Sequence, residues 1–276
     1  MGAVKMVVRG VPARDGAGVN LVRVLGRGTV VDFDPFLMLD SFDSRDPDDY
    51  IRGFPMHPHR GIETLTYLVK GEIDHEDSLG NKGKILDGSA QWMTAGSGIM
   101  HKEMPQPSDR MLGIQLWINL PSGEKLTIPK YFDIQEADIS KGNFDFGVIR
   151  VISGELLDVK GLKPNHLEVD FYDVELYENE TIEIPKITEK NAFLFLLEGD
   201  VEIDNEKYFE KSALLLSDES SVSIKASGSN ARILFIQGPP VKEPIAWGGP
   251  VVMNTQAELQ EAYRDLRENT FIKHNI

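Results

Sequence analysis

The stretch MLGIQLWINL (111–120) sets Leu112, Ile114, Leu116, Ile118 and Leu120 against Gly113, Gln115 and Asn119. Side chains of an extended chain point alternately to its two faces, so this period of two predicts a half-buried strand. SVSIKAS (221–227) repeats the pattern with Val222, Ile224 and Ala226. Short runs of this kind recur along the chain, separated by turn-forming clusters such as DSLGNKG (77–83) and EGDVEIDNEK (198–207). Regular short strands punctuated in this way predict β-sandwiches or barrels rather than βαβ units. One helix stands out. In NTQAELQEAYRDLREN (254–269), Thr255 and Glu258 have capping-box spacing, and Leu259, Ala262, Tyr263 and Leu266 form one apolar stripe. That stripe predicts a helix packed on the β structure.

The strands carry a repeat. TYLVKGEI (66–73) aligns with FLLEGDVEI (195–203) when Gly71 is laid on Gly199, and INLP (118–121) aligns with IQGP (236–239) in the same order. The expectation is an all-β chain of two copies of one β domain, 1–135 and 136–276, with the C-terminal helix on the second. The least patterned stretch, 121–143, reads as the linker.

Composition narrows the chemistry. The 276 residues include no cysteine, which removes disulfides, thiolate ligands and cysteine nucleophiles; any metal must be held by imidazole and carboxylate. A formal charge of −15 speaks against nucleic acid, whose phosphates need a basic surface. Apolar runs such as AFLFLL (192–197) are far shorter than a membrane helix needs. The opening MGAVKMVVRGV lacks the apolar core of a secretory leader, and Met6 breaks the myristoylation pattern, so a cytoplasmic protein is expected.

Histidine is used sparingly, six times in all, yet HPHRG (57–61) places two of them one residue apart. On a strand, His57 and His59 project to the same face while Pro58 points away, and the proline marks an edge or a strand start. Downstream, GSAQWMTAGSGIMHKEMP (88–105) repeats the spacing with His101 and Glu103. If the two strands lie near each other, three imidazoles and one carboxylate face one point, leaving two open positions on a six-coordinate ion. The second copy has no such set: the counterpart of His101 falls in ESSVSIKASGS (219–229).

HPHRGIET followed by YLVKGEI resembles the first cupin motif, and TAGSGIMHKE a variant of the second in which Gly96 stands where proline is usual. DPFLMLDSF (34–42), GFPMHPHRGIET (53–64), HEDSLGNKG (75–83), QWMTAGSGIMHKEMP (91–105) and GGPVVMNT (248–255) together resemble a pirin, across most of the chain. The resemblance implies a bicupin, two antiparallel jelly-roll barrels packed face to face, with metal in the N-terminal one. It implies His57, His59, His101 and Glu103 as ligands of one divalent metal per chain. Iron(II) is preferred, with nickel, copper, manganese and zinc as competitors. The general cupin pattern would put the carboxylate at Glu63; the pirin pattern puts it at Glu103, leaving Glu63 a supporting place behind the ligands. His75 reads as a structural hydrogen-bonding residue, with a place in the site as the alternative. Arg60 reads as the partner of a carboxylate, or else as a guide for an anionic substrate. Met56, Met93, Met100 and Met104 read as core filler, or as an adaptable wall beside the metal.

Two functions follow from the resemblance. One is a quercetin 2,3-dioxygenase, opening a flavonol such as quercetin with O2 and releasing carbon monoxide, with Glu103 accepting the hydroxyl proton. The other is an iron-binding regulatory cofactor or redox sensor acting through a protein partner, without turnover.

Overall fold

The computed structural model describes residues 2–274. Strand accounts for 56% of the chain and helix for 8%, as the period-two patterning predicts. Among the described residues no helix is long and apolar enough to cross a membrane. The chain forms two compact units. One comprises Pro12–Leu21, Phe36–Glu136 and Val241–Ile276; the other comprises Met1–Val11, Val22–Pro35 and Ala137–Pro240.

This division differs from a single cut at 135/136, because the chain ends are exchanged. Val4–Arg9 pairs antiparallel with Ser212–Leu216 and so belongs to the second unit. The C-terminal helix belongs to the first. It spans Gln256–Arg267, its capping box closed by Thr255 and Glu258, and it packs with Ala246, Val251 and Met253 through Leu259 and Ala262. The linker stretch 121–143 is itself built into the sheets. Lys130–Ile134 pairs with Ala90–Thr94, and Ser140–Phe144 pairs with Gly147–Ser153, so the stretch is shared between the two units, which divide after Glu136.

The first unit is built from two open sheets rather than a closed barrel. One runs, in spatial order, Lys130–Ile134, Ala90–Thr94, Ile62–Lys70, Met111–Asn119, Phe36–Ser44, Val19–Leu25, Val11–Asp15. The other runs Phe54–His59, Ile99–Gln106, Glu72–Asp77, Lys82–Ile85. Leu68 and Phe42 from the first sheet meet Ile73 and Ile85 from the second in a buried cluster that seals one end. Met111–Asn119 is buried along its whole length, not on one face as its alternation suggests. Its polar positions are sheltered because they face the interior between the two sheets: the Trp117 ring lies 4.9 Å from that of His59.

The repeat is real in topology. Ala90–Thr94, Ile62–Lys70, Met111–Asn119 and Phe36–Ser44 recur in order as Ser212–Leu216, Asn191–Ile203, Ser221–Gly238 and Asp170–Leu176. The four-stranded sheet recurs as Thr181–Pro185, the first part of Ser221–Gly238, the end of Asn191–Ile203, and Glu206–Tyr208. Gly71 and Gly199 both sit at positive φ (117° and 71°) where the strand bends from one sheet toward the other, a backbone glycine adopts without strain.

Candidate metal centre

Two antiparallel strands carry the two spaced pairs, His57 with His59 and His101 with Glu103. Ile99–Gln106 lies between Phe54–His59 and Glu72–Asp77, with His101 opposite His57 on one side and Glu103 opposite His75 on the other. Along Ile99–Gln106 burial alternates strictly, so Ile99, His101, Glu103 and Pro105 face inward while Met100, Lys102, Met104 and Gln106 face out. Register alone therefore brings the two pairs predicted from spacing onto one interior surface.

The rings converge. His57 lies 4.3 Å from His101, centroid to centroid, and His59 lies 4.9 Å from His57 and 5.0 Å from His101. The Nδ1 atoms of His57 and His59 sit 2.9 Å from the Pro55 carbonyl oxygen and 3.2 Å from that of Pro250. A carbonyl only accepts, so each Nδ1 carries the proton and each Nε2 keeps its lone pair. Those two Nε2 atoms face each other at 3.1 Å. Lone pairs this close repel unless a cation stands between them. His101 is fully buried, and neither of its ring nitrogens has a hydrogen-bond partner. Burial, with His57 beside it, holds His59 down to about 3. Burial and the neighbouring imidazoles likewise hold His101 well below the usual histidine range. Both are neutral near pH 7, the form that binds a metal.

Among the described residues two groups could hold an ion: His57, His59 and His101, and His75, His101 and Glu103, with ligand atoms inside each group within 4.8 Å of one another. His101 belongs to both. The residues fit a divalent cation on donor chemistry and on these unmet nitrogens.

Backbone features hold the two ligand segments together. The Gly61 N–H donates to the Gly96 carbonyl at 2.8 Å. Gly96 sits at φ 48°, which proline cannot adopt, so the departure from the usual cupin proline is a requirement of this turn. Lys125 is buried beside it, its ammonium donating to Gly61 O, Asn119 Oδ1 and Val252 O at 2.8, 2.6 and 3.0 Å. Burial pulls its pKa down to about 7 against Glu243 and Glu258, while three acceptors match the three N–H bonds of the charged form.

Arg60 settles as a carboxylate partner. It is buried, donates to Asp265 Oδ2 and to the Phe271 carbonyl at 2.8 Å each, and its guanidinium lies 4.2 Å from the Phe271 ring centroid. Of the four methionines only Met93 is fully buried, and Met56 is half exposed.

Two placements differ from the sequence reading. Glu63 shares odd numbering with the histidines, but the turn at Gly61 (φ 78°) resets the parity. Glu63 lies opposite Ile118 and Thr94 and accepts from Thr94 Oγ1 at 2.7 Å. Thr66 projects from the other face of that strand and donates to Glu103 Oε1 at 3.1 Å. Glu63 therefore backs the sheet and joins neither group. His75, read first as a structural hydrogen-bonding residue, makes no hydrogen bond with either ring nitrogen. Its ring lies 5.3 Å from that of His101 and 4.6 Å from Tyr131. Its signal in the sequence is parity, since Ile73, His75 and Asp77 alternate toward the interior. Thr66 and Trp117 lacked any signal beyond strand position.

Two open β-sandwich units of one topology, with an imidazole and carboxylate cluster inside the first, define a bicupin. Residues 18–118 match the profile of the pirin family, and 171–272 match the pirin C-terminal cupin domain. A pirin-like protein of Caulobacter vibrioides is 40% identical over 269 residues, covering 96% of this chain and 97% of its own. The crystal structure of a quercetin 2,3-dioxygenase from Acinetobacter baumannii superposes with a TM-score of 0.90 at 31% identity, covering 98% of each chain. A bacterial pirin from Escherichia coli in complex with nickel(II) superposes with a TM-score of 0.66 at 25% identity, covering 85% of this chain and 99% of its own. The chain belongs to the pirin family.

Proposed function

We propose that the chain is a metal-dependent dioxygenase of the cytoplasm that cleaves flavonols such as quercetin with O2 and releases carbon monoxide. His57, His59, His101 and Glu103 would hold one divalent ion, iron(II) by preference. The observation that carries this reading is the convergence of three imidazoles, those of His59 and His101 buried and that of His57 at their edge. The likeness to the Acinetobacter baumannii quercetin 2,3-dioxygenase supports the substrate class.

Bound iron(II) supplies a Lewis-acid and redox centre for an electron-rich phenolate and dioxygen. The rest is done by side chains. Glu103 is the carboxylate inside the cluster, and it takes the proton of the flavonol hydroxyl as the substrate enters. The Trp117 ring, edge-on to His59, offers a flat apolar wall for an aromatic ligand. Thr66 donates to the Glu103 carboxylate through its hydroxyl.

The test is iron-loaded protein with quercetin, followed by oxygen uptake, loss of the visible absorption and carbon monoxide release. Glu103→Gln keeps the shape and removes the base. Turnover per bound iron should fall about 10²–10⁴-fold. No turnover of any flavonol by fully loaded wild type would end the enzyme reading.

A further inference from the structure

The two groups share His101 but divide the remaining ligands. Glu103 keeps company with His75 and His101, whereas the lone pairs of His57 and His59 focus on a point nearer those two rings. The Glu103 carboxylate has its own anchorage on that far side. Thr66 Oγ1 donates to Oε1 at 3.1 Å, and His75 stands directly opposite Glu103 across the strand pair. His75 is buried, and both its ring nitrogens lack a hydrogen-bond partner; Asp77 Oδ2, at 3.7 Å from Nε2, is beyond hydrogen-bonding range. A buried imidazole must carry at least one N–H, and leaving that donor unmet is costly. Two carboxylates are near enough to take it with a small side-chain shift: Asp77, at 3.7 Å, and Glu103, whose ligand atom is grouped with it within 4.8 Å. The ring of His75 is steadied from behind by Tyr131, whose hydroxyl donates to Asp133 Oδ1 at 2.6 Å.

We propose that Thr66 and His75 form a second seat for the Glu103 carboxylate, drawing it off the three-histidine focus so that a coordination position opens while the proton acceptor stays in place. Thr66 and His75 are positioning residues in this scheme. The inference rests on the metal-binding reading above and does not depend on the flavonol. Rotation between two seats needs only a change of side-chain torsion, because Thr66, His75 and Glu103 lie on three rigid strands.

The scheme predicts a sign. A residue that merely orients a ligand strengthens metal binding, so its loss speeds metal release. A residue that competes with the metal for the ligand weakens binding, so its loss slows release. The full chain is loaded with cobalt(II), and release to excess EDTA is followed through cobalt's visible bands. Thr66→Val, nearly the same shape without the hydroxyl, should slow release about tenfold, the scale of one hydrogen bond to a charged acceptor. His75→Phe keeps the ring against Tyr131 and should act in the same direction. In the Glu103→Gln background, Thr66→Val should change nearly nothing, because the competed group is gone. Unchanged or faster release in Thr66→Val overturns the second seat, whatever becomes of the less conservative His75 variant. A wild type that takes up no cobalt overturns the metal-binding reading itself, and the second seat with it.

Discussion

The four-stranded sheet of the first unit and its counterpart in the second use one strand order for opposite purposes. In the first, an edge pair sets His57 opposite His101 and the central pair sets Glu103 opposite His75. In the second, the corresponding pairs set Ile182 opposite Ile224, Ile184 opposite Val222 and Val201 opposite Ala226, all inside one buried apolar cluster. Interior positions filled with Ile and Val contribute roughly 1.5–3 kcal/mol each to folding. Interior positions filled with neutral imidazoles lacking partners cost stability instead. The same topology thus yields a well-packed domain in one copy and, in the other, a polar cluster that makes energetic sense when a cation occupies it.

That contrast can be broken at either end. The largest effect is expected at His101, which both ligand groups share. His101→Ala should weaken metal binding by more than about 100-fold, beyond the range of outer supporting partners. The β-rich circular dichroism should persist, since the packing of the second unit is untouched. Equilibrium dialysis with cobalt(II) checks this, and undiminished affinity would remove His101 from the site.

The second copy should answer in the opposite currency. Ile224 is fully buried, so Ile224→Ala should cost about 2–5 kcal/mol of stability in urea unfolding while leaving metal content unchanged. Loss of metal with little loss of stability would mean that the two copies do not divide their roles in this way.

The smallest effect concerns charge. Burial works to raise the pKa of Asp265, but bonds from Lys273, Arg60 and Thr270 outweigh it and hold it down to about 2. A carboxylate with a folded pKa below its usual 3.8 contributes stability that is fully present above that value and lost as pH falls toward 2. The difference in urea midpoint between wild type and Asp265→Asn should therefore be constant above about pH 4 and shrink between about pH 4 and 2. A difference that does not change with pH would show that the Arg60 clamp acts through packing on Phe271 rather than through charge.

How much of this could be read in advance followed the range of the signal. The i, i+2 pairs His57/His59 and His101/Glu103, the capping box at Thr255 and the alternation around Ile224 are local, and each lies in the element its spacing predicts. The cupin and pirin motifs added the way the pairs come together. Features set by long-range register were not legible. Nothing near Val4–Arg9 announces its partner strand at Ser212–Leu216, and nothing near His75 announces Glu103 across the ladder. The place of Glu63 is equally non-local: Gly61, at positive φ, turns the chain between His59 and Glu63, so their shared odd numbering does not put them on one face. Met111–Asn119 shows that alternation separates two environments without either of them being water.

The central claim is that one copy holds a metal and the other has replaced the site with apolar core. Elemental analysis of the purified full chain, after saturation with iron(II) or cobalt(II) and removal of loosely bound ions, tests it most directly. The account predicts about one metal per chain in wild type and close to none in the His57→Ala, His101→Ala double variant. Two tightly held metals per chain, or one retained after both histidines are gone, would contradict it.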